Sequence, residues 1–305
     1  MAEIEINGGR VMYELVGPED GEVVTLTPGG RFSKDYGGVH ELANALAAGG
    51  KRVLLWDRPN CGASDIQVYG KTESHMRAEI LGELVRALGI PSVAVLGGSG
   101  GARDSILFTI MNPDLATRLC VWSIVGGTFS SMSLAGVYVL NELRAVWSGG
   151  IDAVAQLPEW SQLIATNPRN RERLDMIGAE EFERVMLRWF DAYVPKANEV
   201  IPGVPDWQFA DVRVPTLIIR GGEKDRDHPK RTSFEVHALI KGSTLINPPW
   251  PEDAWERALE ATMAGTGSVF DPWVQAAPAI LAFLDETAPG RELVGAASAG
   301  GGQNA

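Results

Sequence analysis

A serine lies within a run of glycines, Gly97-Gly98-Ser99-Gly100-Gly101, and this stretch has the residue types and spacing for nucleophilic catalysis. The apolar run 93–96 before it predicts a buried strand, and 102–111 carries apolar residues at helical spacing. A serine at a glycine-rich strand-to-helix turn projects its hydroxyl outward, an arrangement called a nucleophile elbow. The amide of Gly100, at the helix start, then points at an oxyanion forming beside Ser99. An ordinary turn between a strand and a helix is the structural alternative.

Predicted strands and helices alternate along the first part of the chain, and these elements must position the serine. Strands are predicted at 11–16, 23–26, 51–56 and 93–96, and helices at 40–48, 76–88 and 102–111. The polar turn 17–21 joins the first two strands, which we interpret as an opening pair. This order predicts an α/β fold with a mostly parallel, doubly wound sheet.

The alternation resumes after the elbow and then breaks. A strand is predicted at 118–125, followed by a helix-like segment, 128–208, that contains four of the nine tryptophans. We interpret this segment as a helical cap inserted over the core. The alternative is an all-helical segment exposed on the protein surface. The pattern returns with strands at 213–220 and 243–246, a helix containing 237–240 and a closing helix at 274–286. The predicted domains are therefore 1–127 (core, first part), 128–208 (cap), 209–286 (core, second part) and 287–305, a disordered Gly/Ala-rich tail.

Composition restricts the classes of partner. The chain has 305 residues, 45% hydrophobic and 22% charged, with a formal net charge of −12, which disfavours nucleic acid and anionic membranes. The N-terminus lacks a signal peptide and no run approaches 18 apolar residues, so we expect a cytoplasmic protein with no membrane partner. Cys61 and Cys120 lie beside or within predicted core strands and are expected to be reduced structural thiols. A homodimer is compatible with these properties.

No cofactor is predicted. The sequence lacks paired histidines, a Cys-x-x-Cys motif and carboxylates in a suitable turn for a metal, and the serine turn does not have dinucleotide-binding spacing. We therefore expect a site without metal or cofactor.

Three further motifs, with the elbow, carry a resemblance to a known family. The turn Thr27-Pro28-Gly29-Gly30 stands where the family has a His-Gly turn, and 56–65 looks like its D-x-P-G-x-G-x-S loop, with Asn60 in a usual glycine place. Gly222-Glu223-Lys224-Asp225 looks like its acid turn. Over roughly residues 10–286 the chain thus resembles the α/β-hydrolase superfamily, most strongly the esterase, lactonase and carbon–carbon-bond hydrolase branch with a helical cap.

The resemblance implies roles by position. Ser99 matches the nucleophile, and Asp225 matches the acid that orients a histidine. Gly100 supplies one oxyanion amide, and Gly30, or Arg31 beside it, supplies the second. The structural alternatives are a turn glycine for Gly30 and a loop cap for Asp225.

The family's histidine is missing from its usual place. Trp250 falls where it is expected, after the last strand, and an indole nitrogen cannot accept a proton. His228, three residues past Asp225, is our candidate for a displaced base, with a surface salt bridge as the alternative. Glu252 and Asp253 are weaker candidates for the base.

The other polar residues are given structural roles. His40 and His237 are assigned to helix surfaces or packing, and His75 to a helix cap. Asp57 is expected to pin its turn.

The substrate is expected to be a small molecule. Trp250, Trp255 and the cap tryptophans suggest an apolar or aromatic ligand, with Arg31 and Trp250 in contact with it; core packing is the alternative for most tryptophans.

Three functions compete. The leading one is a cofactor-independent serine hydrolase of a hydrophobic ester, lactone or ring-cleavage diketone with an atypical base. The others are a lyase or decarboxylase on the same fold, favoured by Trp250 in place of histidine, and a non-catalytic small-molecule binder.

Overall fold

A twisted eight-stranded sheet runs through the structure, a computed structural model that describes residues 2–286. The tail predicted at 287–305 lies outside the described residues. The strands are β1 (Ala2–Ile6), β2 (Gly9–Val16), β3 (Glu22–Thr27), β4 (Lys51–Trp56), β5 (Val93–Gly98), β6 (Ala116–Trp122), β7 (Thr216–Ile219) and β8 (Thr244–Ile246). Their order is β1-β2-β4-β3-β5-β6-β7-β8, parallel from β4 to β8 and antiparallel at β1 and β2. This confirms the predicted mostly parallel α/β fold.

The first strands differ from the prediction in two ways. Sequence analysis missed β1, and β2 does not pair with β3: it pairs with β1 and β4, while β3 lies between β4 and β5. The physical reason is burial. Residues 24–27 of β3 are completely buried, which requires a place inside the sheet, whereas most of β2 is only half-buried and suits a place near the edge.

Ten α-helices accompany the sheet within residues 2–286. They are α1 (Val39–Ala48), α2 (Glu73–Ala87), α3 (Gly100–Met111), α4 (Gly127–Ala135), α5 (Asn141–Ala155), α6 (Pro158–Thr166), α7 (Arg169–Tyr193), α8 (Lys230–Leu239), α9 (Ala254–Met263) and α10 (Ala277–Asp285). Helix α9 lies between residues 247 and 273, where the sequence analysis predicts no helix, and a 3-10 turn, Asp271–Ala276, precedes α10. None of the helices in this part of the chain has both the length and the apolar character needed to cross a membrane.

Helices α4 to α7, with a π-helical turn at Gly136–Leu140, lie in sequence between β6 and β7; we call them the helical insertion. Their apolar side chains, including Trp160, Phe182 and Trp189, join the same buried cluster as Ile106 and Phe108 of α3. Two of the four tryptophans of segment 128–208 are therefore packing residues, while Trp147 and Trp207 are exposed. The insertion is thus anchored to α3, the helix that directly follows Ser99.

Candidate active site

Ser99 occupies the turn between β5 and α3 in a strained backbone conformation. Its φ is 56° and its ψ is −127°, values that a non-glycine residue seldom adopts and that expose the side chain at a sharp turn. A Cβ on Gly101 would collide with the carbonyl oxygen of Thr27, and one on Gly97 would collide with the carbonyl of Gly101. The glycines around Ser99 are therefore required by close backbone contacts.

His228 contacts both the serine and the predicted acid. Its Nε2 lies 2.8 Å from Ser99 Oγ, and its Nδ1 lies 2.9 Å from Asp225 Oδ2. The histidine and the aspartate are nearly fully buried, at 1% and 5% exposure. An imidazole protonated on Nδ1 satisfies both contacts, because Nδ1–H donates to Asp225 and Nε2 accepts the Ser99 hydroxyl proton. The arrangement is a continuous acid–imidazole–hydroxyl chain.

The loop after β7 holds this chain in place. Asp225 Oδ1 accepts the amides of Asp227 and His228 at 3.1 and 2.9 Å, so the acid also fixes the loop backbone. Trp255 at the start of α9 donates its indole N–H to Asp227 Oδ2 at 2.9 Å, and its ring meets the imidazole of His228 edge-on at 4.4 Å. Sequence analysis considered Trp255 only as a ligand contact. Helix α9 was not predicted, so nothing in the sequence indicated that Trp255 would contact His228.

The alternative bases are engaged elsewhere. Glu252 forms an ion pair with Arg220 and accepts the amide of Glu223. The hydrogen bonds from Arg220 lower the pKa of Glu252 to about 2, which makes it a poor proton acceptor. Asp253 pairs with Arg257 on the surface. Neither carboxylate contacts Ser99.

Trp250 lies on the far side of the acid. It is 9% exposed and, with Asp225 and Trp273, lines a void of about 10 Å³. It is not among the residues that line the cavity at Ser99, so the structure does not bring it to the place expected of a substrate contact. Trp250 belongs to the buried apolar cluster that contains Trp273, and this burial removes the large indole from water.

The turn before Arg31 packs directly against the elbow. Gly30 has φ 51°, and a Cβ added to Gly100 would lie 3.2 Å from the Gly30 amide nitrogen. Gly100 is the first residue of α3, so its amide has no helical carbonyl to bind. The amide nitrogen of Gly30 therefore lies close to Gly100, the residue after Ser99, which is compatible with the predicted oxyanion role of these two amides.

The cavity at Ser99 is small, with a volume of about 30 Å³, which is roughly the space of one water molecule. Its lining includes Arg31, Glu73, Arg77, Arg103, Tyr138 and Tyr193. No tryptophan lines it, and Val125 and Leu134 add apolar surface beside the charged side chains. A groove of about 570 Å³ adjoins it, and Arg31 and Tyr138 line both spaces. A substrate that extends from the groove to Ser99 must pass these two side chains.

Arg31 joins the core to the helical insertion. Its guanidinium contacts Glu73 of α2 at 3.3 Å, Glu142 of α5 at 2.8 Å and Glu159 of α6 at 3.3 Å. It also donates to the carbonyl of Tyr138 at 3.1 Å. Arg31 therefore lines the cavity, as predicted for a substrate contact, but its charge is already balanced by protein carboxylates.

Glu73 lies at the centre of this buried network. Burial raises the pKa of its carboxyl, but Arg31 and Arg77 outweigh burial and hold the pKa at about 2. The Asn60 amide also donates to it at 3.0 Å. Glu73 is therefore ionised throughout the physiological range.

Glu73→Gln is expected to lower the free energy of unfolding at pH 7 by roughly 3 kcal/mol, because it leaves buried guanidinium groups unbalanced. A depressed folded-state pKa contributes stability above the ordinary value of 4.5 and loses it as the pH falls through about 2. Urea unfolding at pH 7 and pH 3 should therefore show a smaller acid-induced loss in the variant than in the parent. Glu83→Gln, at an exposed ion pair, is the control; equal acid-induced losses in parent and Glu73→Gln would contradict this prediction.

The structure also shows the surroundings of Asp57 and of the two cysteines, for which structural roles were predicted. Asp57 accepts the amides of Lys34 and Ala63 at 2.8 and 3.0 Å, so it pins its turn as expected. Cys61 and Cys120 are free and buried.

The histidines other than His228 contact different partners. His40 contacts Asp35 and His237 contacts Ser243. Thr72 is the cap of α2, with His75 bonded to it, so the capping side chain is the threonine.

Comparison with known proteins places this geometry in a family. The chain is 31% identical over 243 residues to a 2-hydroxy-6-oxononadienedioate/2-hydroxy-6-oxononatrienedioate hydrolase of Escherichia coli K12, covering 77% of this chain and 82% of that protein. The chain belongs to the α/β-hydrolase superfamily. No protein-family model matches the chain.

Solved structures of other proteins have a fold similar to that of this α/β-hydrolase. An enol-lactonase from Burkholderia xenovorans LB400 matches 93% of this chain and all of that chain, with a TM-score of 0.56 and 17% identity. A meta-cleavage product hydrolase from Pseudomonas fluorescens IP01 matches 94% of this chain and 98% of that chain, with a TM-score of 0.56 and 18% identity. The named relatives are hydrolases, and this α/β-hydrolase is accordingly an enzyme.

Proposed function

We propose that this enzyme is a cofactor-independent serine hydrolase that cleaves a bond next to a carbonyl carbon, in an ester, a lactone or a ring-cleavage diketone. The observation that carries the proposal is the 2.8 Å contact between His228 Nε2 and Ser99 Oγ. A hydroxyl at this distance from an imidazole can transfer its proton as it attacks. The names of the relatives support the substrate classes.

In the first half of the reaction, Ser99 Oγ attacks the substrate carbonyl while its proton moves to His228 Nε2. The negative charge that forms on the carbonyl oxygen is held by the amides of Gly30 and Gly100. Asp225 stabilises the imidazolium through the 2.9 Å contact to Nδ1. The imidazolium then gives its proton to the leaving group, an oxygen in an ester or lactone and an enolate carbon in a diketone.

In the second half, water replaces the leaving group. His228 takes a proton from that water as its oxygen attacks the acyl-enzyme carbonyl, and the same two amides hold the second oxyanion. Collapse breaks the bond to Ser99 Oγ, and the imidazolium returns its proton to the serine. The net change is the addition of one water across the cleaved bond.

The helical insertion acts in this proposal as a cap over the nucleophile. It supplies Leu134, Tyr138 and Tyr193 to the walls of the Ser99 cavity, and its Glu142 and Glu159 bind Arg31 of the core. Closure by these helices excludes bulk water and strengthens the electrostatic contacts to the oxyanion. The adjoining groove then provides the route by which substrate enters.

Labelling with a fluorophosphonate tests the activated serine. The parent protein is expected to gain the mass of one adduct, and Ser99→Ala none, because only a serine beside a base reacts readily with this reagent. An unlabelled, folded parent protein, or an adduct that persists in Ser99→Ala, would overturn the assignment of Ser99.

The non-hydrolytic and binding functions rested on a missing base. The contact between His228 and Ser99 supports hydrolysis over these two alternatives, because it offers the serine a proton acceptor. Turnover in H₂¹⁸O distinguishes hydrolysis from lyase chemistry: we expect one ¹⁸O in the acid product, whereas an unlabelled product would favour a lyase.

A further inference from the structure

Tyr138 lies in the π-helical turn Gly136–Leu140, which connects α4 to α5 in the helical insertion. Its side chain lines the cavity at Ser99 and also the adjoining groove. A Cβ added to Gly30 would lie 2.8 Å from the Tyr138 hydroxyl oxygen, so the phenol end of the ring reaches the turn that carries the predicted oxyanion amide. Turns of π-helix are rare in proteins and frequently occur at functional sites.

The glycine turn brings this hydroxyl and the nucleophile to adjoining residues. A Cβ on Gly29 would lie 2.8 Å from Ser99 Oγ, whereas one on Gly30, the next residue, would meet the Tyr138 hydroxyl. The cavity that Ser99 and Tyr138 both line has a volume of only about 30 Å³, so a group that occupies it contacts several walls at once. A carbonyl oxygen that lies there beside Ser99 is therefore within reach of the phenol.

The Tyr138 hydroxyl is free to donate. It has no hydrogen-bond partner among residues 2–286. Burial raises the pKa of Tyr138 above its ordinary value, so the phenol keeps its proton throughout the physiological range. A partly buried donor without an acceptor costs free energy unless a ligand or a water molecule supplies one. The hydroxyl is therefore available to a bound substrate.

A packing role explains the ring of Tyr138 but not its hydroxyl. The Arg31 guanidinium lies 5.2 Å from the centre of the ring and donates to the Tyr138 carbonyl at 3.1 Å. Phenylalanine would make both contacts and would bury no polar atom. The hydroxyl therefore requires a reason other than packing.

We propose that the Tyr138 hydroxyl donates a hydrogen bond to the oxygen of the substrate carbonyl, as a third oxyanion donor beside the amides of Gly30 and Gly100. This role rests on the proposed function and adds a catalytic residue to it. The phenol keeps its proton during the reaction. As Ser99 attacks, the carbonyl oxygen gains negative charge, and the hydrogen bond from Tyr138 strengthens. Because this donor belongs to the helical insertion, the oxyanion site is complete only with the cap in place.

Tyr138→Phe tests this role with two acetate esters, 4-nitrophenyl acetate and phenyl acetate, which share the acyl group and differ in the leaving group. We expect kcat/KM to fall roughly 100-fold for both esters, because the lost hydrogen bond acts on the carbonyl oxygen that they share. Tyr69→Phe, whose hydroxyl accepts a hydrogen bond from Asn7 on the surface, should keep the parental kcat/KM. A loss confined to phenyl acetate, the ester with the poorer leaving group, would show that Tyr138 assists the leaving group and would overturn the oxyanion role.

A reversible inhibitor separates contact with the oxyanion from a change in packing. The carbonyl carbon of a trifluoromethyl ketone accepts Ser99 Oγ and its oxygen becomes anionic, while His228 takes the serine proton; the corresponding alcohol binds without an adduct. Tyr138→Phe should weaken binding of the ketone by roughly the factor that it takes from kcat/KM, and should leave the affinity for the alcohol and the melting temperature nearly unchanged. Equal weakening of ketone and alcohol would overturn the proposal.

Failure of this role differs from failure of the proposed function. A parent enzyme that hydrolyses both esters, with a Tyr138→Phe variant of equal kcat/KM, would overturn the role of Tyr138 and leave the serine hydrolase intact. A parent that hydrolyses neither ester and gains no fluorophosphonate adduct would overturn both. A Tyr138→Phe variant that does not fold would also overturn the proposal, because the hydroxyl would then be needed for the structure.

Discussion

His228→Ala is expected to lower kcat by roughly 10⁶-fold, because the serine hydroxyl loses the imidazole positioned to take its proton, and serine and histidine act as a unit in such sites. The substitution removes the 2.8 Å contact between His228 Nε2 and Ser99 Oγ. Hydrolysis of a 4-nitrophenyl ester at saturating concentration measures the loss. Circular dichroism and the melting temperature establish that the variant is folded.

The control for His228 is another histidine of the same chain. His237 is bonded to Ser243 at the end of α8, away from Ser99, so His237→Ala should retain the parental kcat. A folded His228→Ala enzyme with nearly parental turnover would mean that the base lies elsewhere. His228→Gln, which keeps a polar side chain of similar reach, provides a second variant if alanine disturbs the loop.

Asp225→Asn is expected to lower kcat by roughly 10⁴-fold while preserving the fold, as an acid-to-amide change does when it imposes the wrong tautomer. The asparagine oxygen can still accept the amides of Asp227 and His228, so the loop keeps its anchor. The asparagine NH₂ would donate to Nδ1, leaving the proton on Nε2, where it cannot accept from Ser99. The measurement is kcat across pH 6 to pH 9.

Asp253→Asn is the matched control for Asp225. Asp253 pairs with Arg257 on the surface, so the same chemical change there should leave kcat unaltered. An Asp225→Asn enzyme within tenfold of the parent would show that the acid only anchors the loop, which is the structural alternative that the sequence left open.

Much of the fold could be predicted because its signals are local. The buried strands that become β4 and β5 are short apolar runs, and the glycines around Ser99 mark a turn that admits no side chains. Pairing was harder to predict, because the partners of β2 are decided by burial across the whole sheet. Helix α9 was missed since it sits in a stretch rich in prolines and glycines at both ends.

The site was predicted in part. Ser99, Asp225 and His228 were candidates from the motif and from the position of their loop, and the structure brings all three together. Trp250 was assigned to the substrate because large aromatic residues often line pockets, but it packs behind the acid. Arg77 and Arg103, which line the Ser99 cavity, were not predicted, because a charged residue on a helix usually faces solvent.

The sequence by itself determined the chemistry that this chain can offer: a strained serine between glycines, an acid turn after a later strand and the absence of a histidine from its usual place. These features depend on backbone geometry and residue type over a few neighbouring positions. Only the tertiary structure decided that His228 reaches Ser99 across 129 residues of sequence and that Arg31 of the core meets Glu142 and Glu159 of the helical insertion. Such contacts arise from the packing of distant elements, whose relative placement no local pattern encodes.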